Sequence, residues 1–316
     1  MRIEYHRTLI ADVARNRAFR DALAKVIVNG KTKVADIGAG TGLIGLIAAR
    51  LGAREVYLYE TAEVAGVAAE VLKRNRARNC HLLGCHSTEA VDPPRVDVVV
   101  SETLGNYAFE EDIAATMNDA RKRHLKPGGK IIPSRIQQFV APVVTPRFDE
   151  DLRAWEATGG DLGLAIDLTV ARDMSFNNVY VRRIEGVDLL DGGAAATRWD
   201  DADLTRECSG TRKGEARWTL REASTIYGFA VWWEAVLADG ITLSTSPDAT
   251  PTHWEQLYFP IAAPITAKPG EAVSVALKSR SSPEAGTHLA WKASHVDAQG
   301  RALARHAHDL DKGYLP

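Results

Sequence analysis

The chain has 316 residues, of which 45% are hydrophobic and 25% charged, and its formal net charge is −2. This length predicts two domains, and the near-neutral charge argues against a nucleic-acid partner. The sequence has no apolar run long enough to cross a bilayer and no secretory h-region, so we expect no membrane contact and a cytoplasmic location. Cys80, Cys85 and Cys208 lack paired spacing, which argues against disulfides and a zinc site.

The first third alternates between segments typical of strands and of helices. KVADIG, EVYLYE and VDVVVSE are β-branched or aromatic runs, whereas TGLIGLIAARLG and TAEVAGVAAEVLKRNRA carry apolar residues at helical spacing. A further helix is predicted over residues 5–28. The alternation predicts a doubly wound parallel sheet in a domain of residues 1–135. LKPGGKIIPSRI predicts a helix end, a tight turn and a strand interrupted by Pro133.

The pattern changes at about residue 140. Short alternating segments such as AVSVALKS and LAWKASHV predict an antiparallel sheet, so residues 136–316 are assigned to a β-barrel-like substrate domain. A helical segment at about 148–180 interrupts it. An isolated helical insertion cannot bury an apolar face inside its own barrel. The candidates for that face are Trp155, Leu162, Leu164, Ile166 and Leu168.

The glycine-rich loop in VADIGAGTGLIGL matches two cofactor fingerprints. Residues 40–45 satisfy the G-x-G-x-x-G pattern of dinucleotide-binding folds. Gly38, Gly40 and Gly42 instead satisfy the G-x-G-x-G loop of S-adenosylmethionine enzymes. Asp36 favours the second pattern, because the buried strand of a dinucleotide fold normally has an apolar residue there.

Glu60 ends the second predicted strand, EVYLYE. Both cofactor patterns require an acid there, since its carboxylate can accept hydrogen bonds from two ribose hydroxyls. The loop and this acid predict a nucleoside cofactor and leave open which one.

The segment SETLGNYAFEED follows the apolar strand VDVVV and brings three carboxylates into one loop: Glu102, Glu110 and Glu111. Acidic residues are common in solvated turns, which is the alternative interpretation. Whether two of these carboxylates form a cation site depends on residues elsewhere in the chain.

Four segments, together with the glycine loop, resemble the protein arginine methyltransferase family. SETLGNYAFEED is similar to its double-glutamate loop, with Glu102 and Glu111 at the paired positions. LSTSPDATPTHWEQLYF is similar to its threonine–histidine–tryptophan loop, with His253 and Trp254. YHRTLIADVARNRAF resembles the helix that closes over the cofactor, and GGKIIPSR resembles the junction between the methyltransferase domain and the barrel.

This resemblance implies that S-adenosyl-L-methionine is the cofactor. The reaction it implies is N-methylation of the guanidino nitrogen of arginine in a protein or peptide. It places His6 and Arg15 near the cofactor, with Arg15 at the carboxylate of the methionine part, and Glu89 at the adenine. It also implies a homodimer in which the helical segment grips the methyltransferase domain of a second subunit.

The resemblance also implies roles for residues around the acceptor. Asp12 is expected to pair with His253, which helps to seal the site or to relay the proton that leaves after methylation. Trp254 is expected to form a packing wall or a substrate contact.

Paired glutamates suit a guanidinium. Its pKa lies above about 12, so a protein cannot simply deprotonate it. Two carboxylates that accept its N–H bonds draw positive charge toward the nitrogens they contact, and they hold the remaining nitrogen against the methyl donor. We therefore predict that Glu102 and Glu111 are catalytic together with His253, and that Glu110 is solvated or locally paired.

Two other functions remain open from the sequence. Leu104, Asn106 and Ile113 stand where the family commonly has Met, Tyr and Met. The acceptor could therefore be a small guanidine or amine metabolite, and the number of methyl groups added is open. A catalytically silent binding partner with the same fold is the third possibility, although both loop glutamates are present.

Overall fold

The structure is a computed structural model, and it describes residues 3–282 and 286–312. Within these ranges no helix is long and apolar enough to cross a membrane. The first part alternates helices and strands, as predicted. Its elements are α1 (Ile3–Ala11), α2 (Val13–Val26), β1 (Lys33–Ile37), α3 (Leu43–Arg50), β2 (Glu55–Tyr59), α4 (Ala65–Arg74), β3 (Cys80–Leu83), β4 (Val96–Ser101), α5 (Ile113–Arg123) and β5 (Leu125–Ile132).

The strands of this part form one parallel sheet in the order β3-β2-β1-β4-β5. On β1, Val34 pairs with Val56 of β2 on one side and with Val98 of β4 on the other. The order of the strands therefore reverses at β1. In open parallel sheets a ligand cleft forms where the order reverses, at the carboxyl ends of the strands.

The N-terminal helix predicted over residues 5–28 is two helices, α1 and α2, which meet at Asp12. The Asp12 side chain caps α2 by accepting a hydrogen bond from the backbone N–H of Arg15 at 2.9 Å. The helix is interrupted here because an aspartate carboxylate satisfies a backbone donor at the start of a helix better than inside one. The break leaves α1 as a separate helix that carries the buried His6.

The segment LKPGG lies within β5 and does not separate a helix from a strand. Leu125 already pairs with Val96, and the ladder resumes with Lys130 opposite Val98 after an irregularity. Gly128, at φ +76°, lies inside this irregularity. The predicted turn is thus a bulge in β5. The strand ends at Ile132, and the peptide bond between Ile132 and Pro133 is cis.

The rest of the chain is antiparallel β structure with inserted helices. Its elements are β6 (Arg135–Val143), α6 (Arg147–Leu152), α7 (Ala154–Asp161), α8 (Thr169–Phe176), β7 (Tyr180–Arg182), β8 (Thr197–Asp203), β9 (Thr211–Thr219), β10 (Ser224–Ala238), β11 (Ile241–Ser244), β12 (Gln256–Ala267), β13 (Ala272–Ser282), β14 (Gly286–Val296) and β15 (Ala302–Asp309).

These strands form two antiparallel sheets. One has the order β7-β12-β10-β6-β8, with β11 paired to β10, and the other has the order β15-β14-β13-β9. One buried apolar cluster runs from the parallel sheet into both of them, and Trp233 and Trp291 are its largest fully buried side chains. The predicted fold class, a parallel α/β sheet followed by an antiparallel β-rich part, is confirmed. The domain limits stay a prediction.

Helices α6, α7 and α8 form the helical segment predicted at about 148–180. Its base packs on its own sheet, where Phe148, Leu152 and Phe176 join a buried cluster with Trp232 and Tyr258. Its outer part leaves large apolar side chains exposed, and Leu168 is partly buried. The exposed side chains are Trp155, Leu162, Leu164, Ile166, Val170 and Met174.

The buried His308 on β15 makes stability depend on pH. Its ring stacks on Trp291 at 4.7 Å, and burial lowers its pKa to about 4, with a further contribution from His306. The unfolded chain binds this proton near pH 6.5. Between pH 6.5 and 4 the unfolded state therefore binds more protons, so stability falls as the pH falls through that window.

We expect His308→Phe to keep the stacked ring and to reduce this acid sensitivity. Free energies of unfolding at pH 7.5 and 5.0 would measure it, with a difference between the two proteins of up to about 2 kcal/mol. An equal loss of stability in wild type and variant would show that His308 is not the titrating group.

Candidate active site

A cavity of about 580 Å³ opens at the carboxyl ends of the parallel strands. Its walls come from α1, from the segments that follow β1, β2, β3 and β4, and from the loop before β12. The double-glutamate loop and the threonine–histidine–tryptophan loop thus face the same space as the predicted cofactor loop.

The glycine loop needs its glycines for geometry. Gly38, Gly40 and Gly42 have φ values of +71°, +55° and +80°, in the left-handed region that favours glycine. A Cβ on Gly38 would lie 2.5 Å from Thr103, and one on Gly40 would lie 3.3 Å from the His6 ring. The backbone therefore approaches both α1 and the glutamate loop closely.

Glu60 follows β2 and lines the cavity. Its carboxylate accepts hydrogen bonds from the backbone N–H groups of Gly40 and Ala62, both at 2.8 Å. These bonds fix the acid against the glycine loop. Because each carboxylate oxygen can accept a second bond, the group can still receive two hydroxyl donors.

Three residues predicted to bind the cofactor do not line this cavity: Asp36, Gly42 and Glu89. Asp36 is buried beneath the loop, where burial raises its pKa to about 7 and the N–H of Gly45 partly offsets this effect. Gly42 caps α3. The Glu89 carboxylate folds back onto the backbone N–H of His86 at 3.3 Å. Their role in cofactor binding stays a prediction.

Polar atoms without partners lie in the walls of the cavity. His6 Nε2, Tyr59 Oη and Ser87 Oγ are buried and make no hydrogen bond within the described residues, and all three residues line the cavity. Sequence reasoning did not find Tyr59 or Ser87, because neither stands in a recognisable motif. Unsatisfied buried polar atoms are costly, so a ligand that bonds to them would be stabilised there.

Glu102 is the most deeply placed carboxylate of the site. Arg15 Nε donates to its Oε2 at 2.7 Å, and Arg15 Nη2 contacts the same oxygen. Burial raises the pKa of Glu102, and the positive charge of Arg15 opposes this effect. The structure therefore already holds one guanidinium against this carboxylate.

Glu111 also lines the cavity, and within the described residues its carboxylate has no hydrogen bond or ion pair. Burial raises its pKa to about 7, and the negative charges of Glu102, Glu110 and Glu60 add to this effect. Glu110 lies directly over the backbone of Gly105, where a Cβ would be 1.8 Å from its Oε2. Glu110 is thus held locally, and Glu111 is left as the unpaired acid.

The loop before β12 fixes both α2 and the glutamate loop. Asp12 Oδ2 accepts from His253 N at 2.8 Å and lies 2.7 Å from His253 Nδ1. Although burial raises the pKa of Asp12, its bonds from His253 and Arg15 lower it overall. The predicted pairing of Asp12 with His253 is therefore present.

Three donors from the β-rich part hold the glutamate loop. Trp254 Nε1 donates to the carbonyl of Leu104 at 2.9 Å, and Trp233 Nε1 donates to that of Gly105 at 3.0 Å. The N–H of residue 255 donates to Asn106 Oδ1 at 2.9 Å. Trp254 is buried against Trp233 and acts as a wall behind the loop.

We expect the carboxyl group of Glu111 to titrate near pH 7 in the free protein. Glu110→Gln should move its midpoint to lower pH, because the substitution removes a neighbouring negative charge. Carbon-detected NMR of labelled glutamate carboxyls measures this directly. Glu215→Gln, on a distant sheet face, is the matched control, and a midpoint near 4.5 in wild type would contradict the burial of Glu111.

The chain is similar in sequence to known methyltransferases. Residues 135–313 match a family described as the PRMT5 oligomerisation domain, and residues 21–154 match one described as ribosomal protein L11 methyltransferase (PrmA). Protein arginine N-methyltransferase 6 of Xenopus tropicalis is 31% identical over 262 residues, covering 80% of this chain and 77% of that protein. The Danio rerio protein of the same name is 30% identical over 263 residues, covering 80% and 75%.

Solved structures show the same fold at lower identity. Arabidopsis thaliana protein arginine methyltransferase 10 matches with a TM-score of 0.80 and 20% identity, covering 98% of each chain. The Trypanosoma brucei PRMT1 enzyme–prozyme heterotetrameric complex with AdoHcy matches with a TM-score of 0.84 and 21% identity, covering 96% of this chain and 97% of that one. Taken with the sequence matches, these findings show that the chain belongs to the protein arginine methyltransferase family.

Proposed function

We propose that the chain is an S-adenosylmethionine-dependent N-methyltransferase that acts on the guanidino nitrogen of arginine in a protein or peptide. The observation that supports this most is the pair of carboxylates on one cavity. Glu102 already binds the guanidinium of Arg15, and Glu111 has no partner within the described residues. A second guanidinium, from the substrate, would supply the positive charge that Glu111 lacks.

The cavity suits a nucleoside cofactor at the other end. Glu60 is fixed by backbone N–H groups with lone pairs still free, and His6 Nε2 and Ser87 Oγ have no hydrogen-bond partner in the part of the chain that the structure describes. Glu60 would hold the ribose, and Arg15 would hold the carboxylate of the methionine part. When bound, S-adenosylmethionine supplies an electrophilic methyl group on a sulfonium.

The residues of this chain prepare the acceptor. Glu102 and Glu111 accept N–H bonds from the substrate guanidinium and draw its positive charge toward the nitrogens they contact. The remaining terminal nitrogen keeps more of its lone pair and is held in a fixed position. Because the Glu111 pKa is about 7, binding of the cation favours its charged form and should strengthen as the pH rises through 7.

The Asp12–His253 pair would handle the proton that methylation releases. Asp12 accepts from the backbone N–H of His253 and pairs with Nδ1, which fixes the ring and directs Nε2 away from Asp12. Imidazole is suited to take up a proton near neutral pH. The Trp254 ring lies beside it, tilted by 39° with the ring centroids 3.9 Å apart, and limits its movement.

We expect Glu111→Gln and Glu102→Gln to reduce turnover on the true acceptor by at least about 100-fold, because the amide removes a charge that the reacting guanidinium needs. Calorimetric affinity for S-adenosylhomocysteine should stay nearly unchanged. Glu110→Gln is the matched control and should keep most activity. Either catalytic variant retaining wild-type turnover would sink the paired-carboxylate mechanism.

A small guanidine or amine metabolite remains the second candidate acceptor. The same chemistry applies to it, and Leu104 and Asn106, which stand where the resemblance places Met and Tyr, line the cavity. Mass spectrometry of arginine peptides and guanidino metabolites incubated with labelled cofactor separates the two candidates. No methyl transfer to any of them would favour a catalytically silent binding partner.

The helical segment is proposed to form a homodimer. Phe148 and Phe176 anchor it to its own sheet, while Trp155, Leu162 and Ile166 remain exposed. Such an apolar face is expected to be covered by the methyltransferase domain of a second subunit, in a head-to-tail ring. A cytoplasmic location remains our prediction for the assembly.

Replacing residues 150–170 by a short Gly/Ser linker should give a monomer with weaker cofactor binding. Docking of the segment on a second subunit would order α1 and α2, which line the cofactor cavity. The point variant Trp155→Ser/Leu162→Ser/Ile166→Ser keeps the backbone and should behave in the same way. Light scattering that finds the wild type monomeric at working concentration would refute this proposal.

A further inference from the structure

The outer face of the sheet β15-β14-β13-β9 is strongly basic. Alternate residues of its strands point outward, because Val275, Leu277 and Trp291 between them are buried. The exposed cations on this face are Lys213, Arg217, Lys278, Arg280, Lys292 and Arg305. The acids on the same face are Glu215 and Asp309. A local positive surface therefore exists on a chain whose net charge is −2.

The strand register arranges most of these cations in a diagonal row. Lys278 stands two residues from Arg280 on β13, Lys292 is opposite Ala276, and Arg305 is opposite Ser294. Successive members are thus about 7–8 Å apart, and the row is roughly 23 Å long. Lys213 lies directly opposite Lys278. We call Arg280, Lys278, Lys213, Lys292 and Arg305 the cation band.

The band is not neutralised within the described part of the chain. Lys213, Lys278, Lys292 and Arg305 have no ion pair there, and Arg280 has only a contact at 3.5 Å with Asp311. Like charges directly opposite one another on neighbouring strands are destabilising. Folding therefore brings five cations together on a face whose strands contribute two acids, Glu215 and Asp309, and an anionic partner would relieve the remaining repulsion.

The band begins beside the active site. Arg280 is next to Ser281, which pairs with Thr287, and Thr287 Oγ1 donates to the carbonyl of Glu110 at 3.3 Å. Tyr107 of the same glutamate loop bonds to Ser279 on the inner face of β13. The glutamate loop therefore packs on the inner face of β13 at the end whose outer face carries Arg280, and the length of chain needed between cavity and band is what the experiment below determines.

We propose that the cation band docks an acidic segment of the substrate protein, several residues away from the target arginine. The proposal rests on the proposed function and adds a substrate class to it. Acids immediately beside the arginine would be repelled by Glu110 and Glu111, whereas more distant acids would meet the band. The face carries no exposed Phe, Tyr or Trp among its outward residues, so it lacks the stacking platforms of single-strand nucleic-acid binders.

The test uses the full chain and matched arginine peptides. Each peptide carries one arginine, a Gly/Ser spacer of about 4, 8 or 12 residues, which spans roughly 13 to 40 Å when extended, and a run of either Glu or Gln. At one spacer length we expect about a fivefold lower KM for the Glu peptide at low salt, with kcat unchanged. The advantage should disappear near 0.5 M salt, where screening is nearly complete.

Charge reversal locates the effect. Lys278→Glu/Lys292→Glu should abolish the advantage. The matched control is Lys31→Glu/Arg54→Glu, which should keep it. This control changes the charge by the same amount at two exposed cations just before β1 and β2, at the end of the parallel sheet away from the cavity. Circular dichroism checks that both variants fold. Equal KM values for the Glu and Gln peptides at every spacer, or equal loss in both variants, would overturn the proposal.

A binding measurement separates this inference from the proposed function. Fluorescence anisotropy of a labelled Glu-rich peptide without arginine should show binding to the wild type and not to Lys278→Glu/Lys292→Glu. Such binding without any arginine methylation would support the cation band as a docking site and contradict the proposed function. Polyuridylate that binds more tightly than the acidic peptide through the same residues would assign the band to nucleic acid and overturn the proposal.

Discussion

The carboxylate of Asp12 is the constraint on which the site depends. It accepts the backbone N–H of Arg15 and that of His253, and it pairs with the His253 ring. One side chain thus breaks the N-terminal helix, directs Arg15 toward Glu102, and ties α2 to a loop of the β-rich part. Because these contacts are buried and charge-assisted, losing the carboxylate would leave several donors unsatisfied at once. The start of α2, the contact between α2 and the β-rich part, and the position of Arg15 in the site therefore all depend on Asp12.

Excess negative charge is the second constraint. Glu60, Glu102, Glu110 and Glu111 line one cavity, and Arg15 is the cation bound among them. Such an arrangement raises the free energy of the empty site: burial first, and then the neighbouring carboxylates, raise the pKa of Glu111 to about 7. Binding a cation lowers it. The same carboxylates that suit a guanidinium therefore make the free site costly, and the three donors behind the glutamate loop hold it in place.

Patterns with one local cause could be predicted from the sequence. The strands and helices around the parallel sheet lie where apolar periodicity predicts them. The glycine loop lies where the sequence has residues that can adopt positive φ. The break at Asp12 was not predicted, because apolar periodicity does not show that this carboxylate caps the N–H of Arg15 and is held by His253, 241 positions away. The bulge in β5 depends on pairing with β4. The Glu89 carboxylate accepts from the N–H of His86, three residues before it, and its place at the adenine stays a prediction. The helix break and the bulge depend on contacts that periodicity alone does not show.

Charge is distributed unevenly over the molecule, and the net value conceals this. The cavity gathers acids, while the outer face of the sheet that carries Lys278 and Lys292 gathers bases. From the net charge alone, −2, the sequence argued against a nucleic-acid partner. The net charge does not reveal the local positive surface, because pairing between β9, β13, β14 and β15 brings together cations that are up to 92 residues apart in the chain, as between Lys213 and Arg305. A surface of one sign next to a site of the other favours a partner whose charges alternate along its length, and it disfavours one that is uniformly basic.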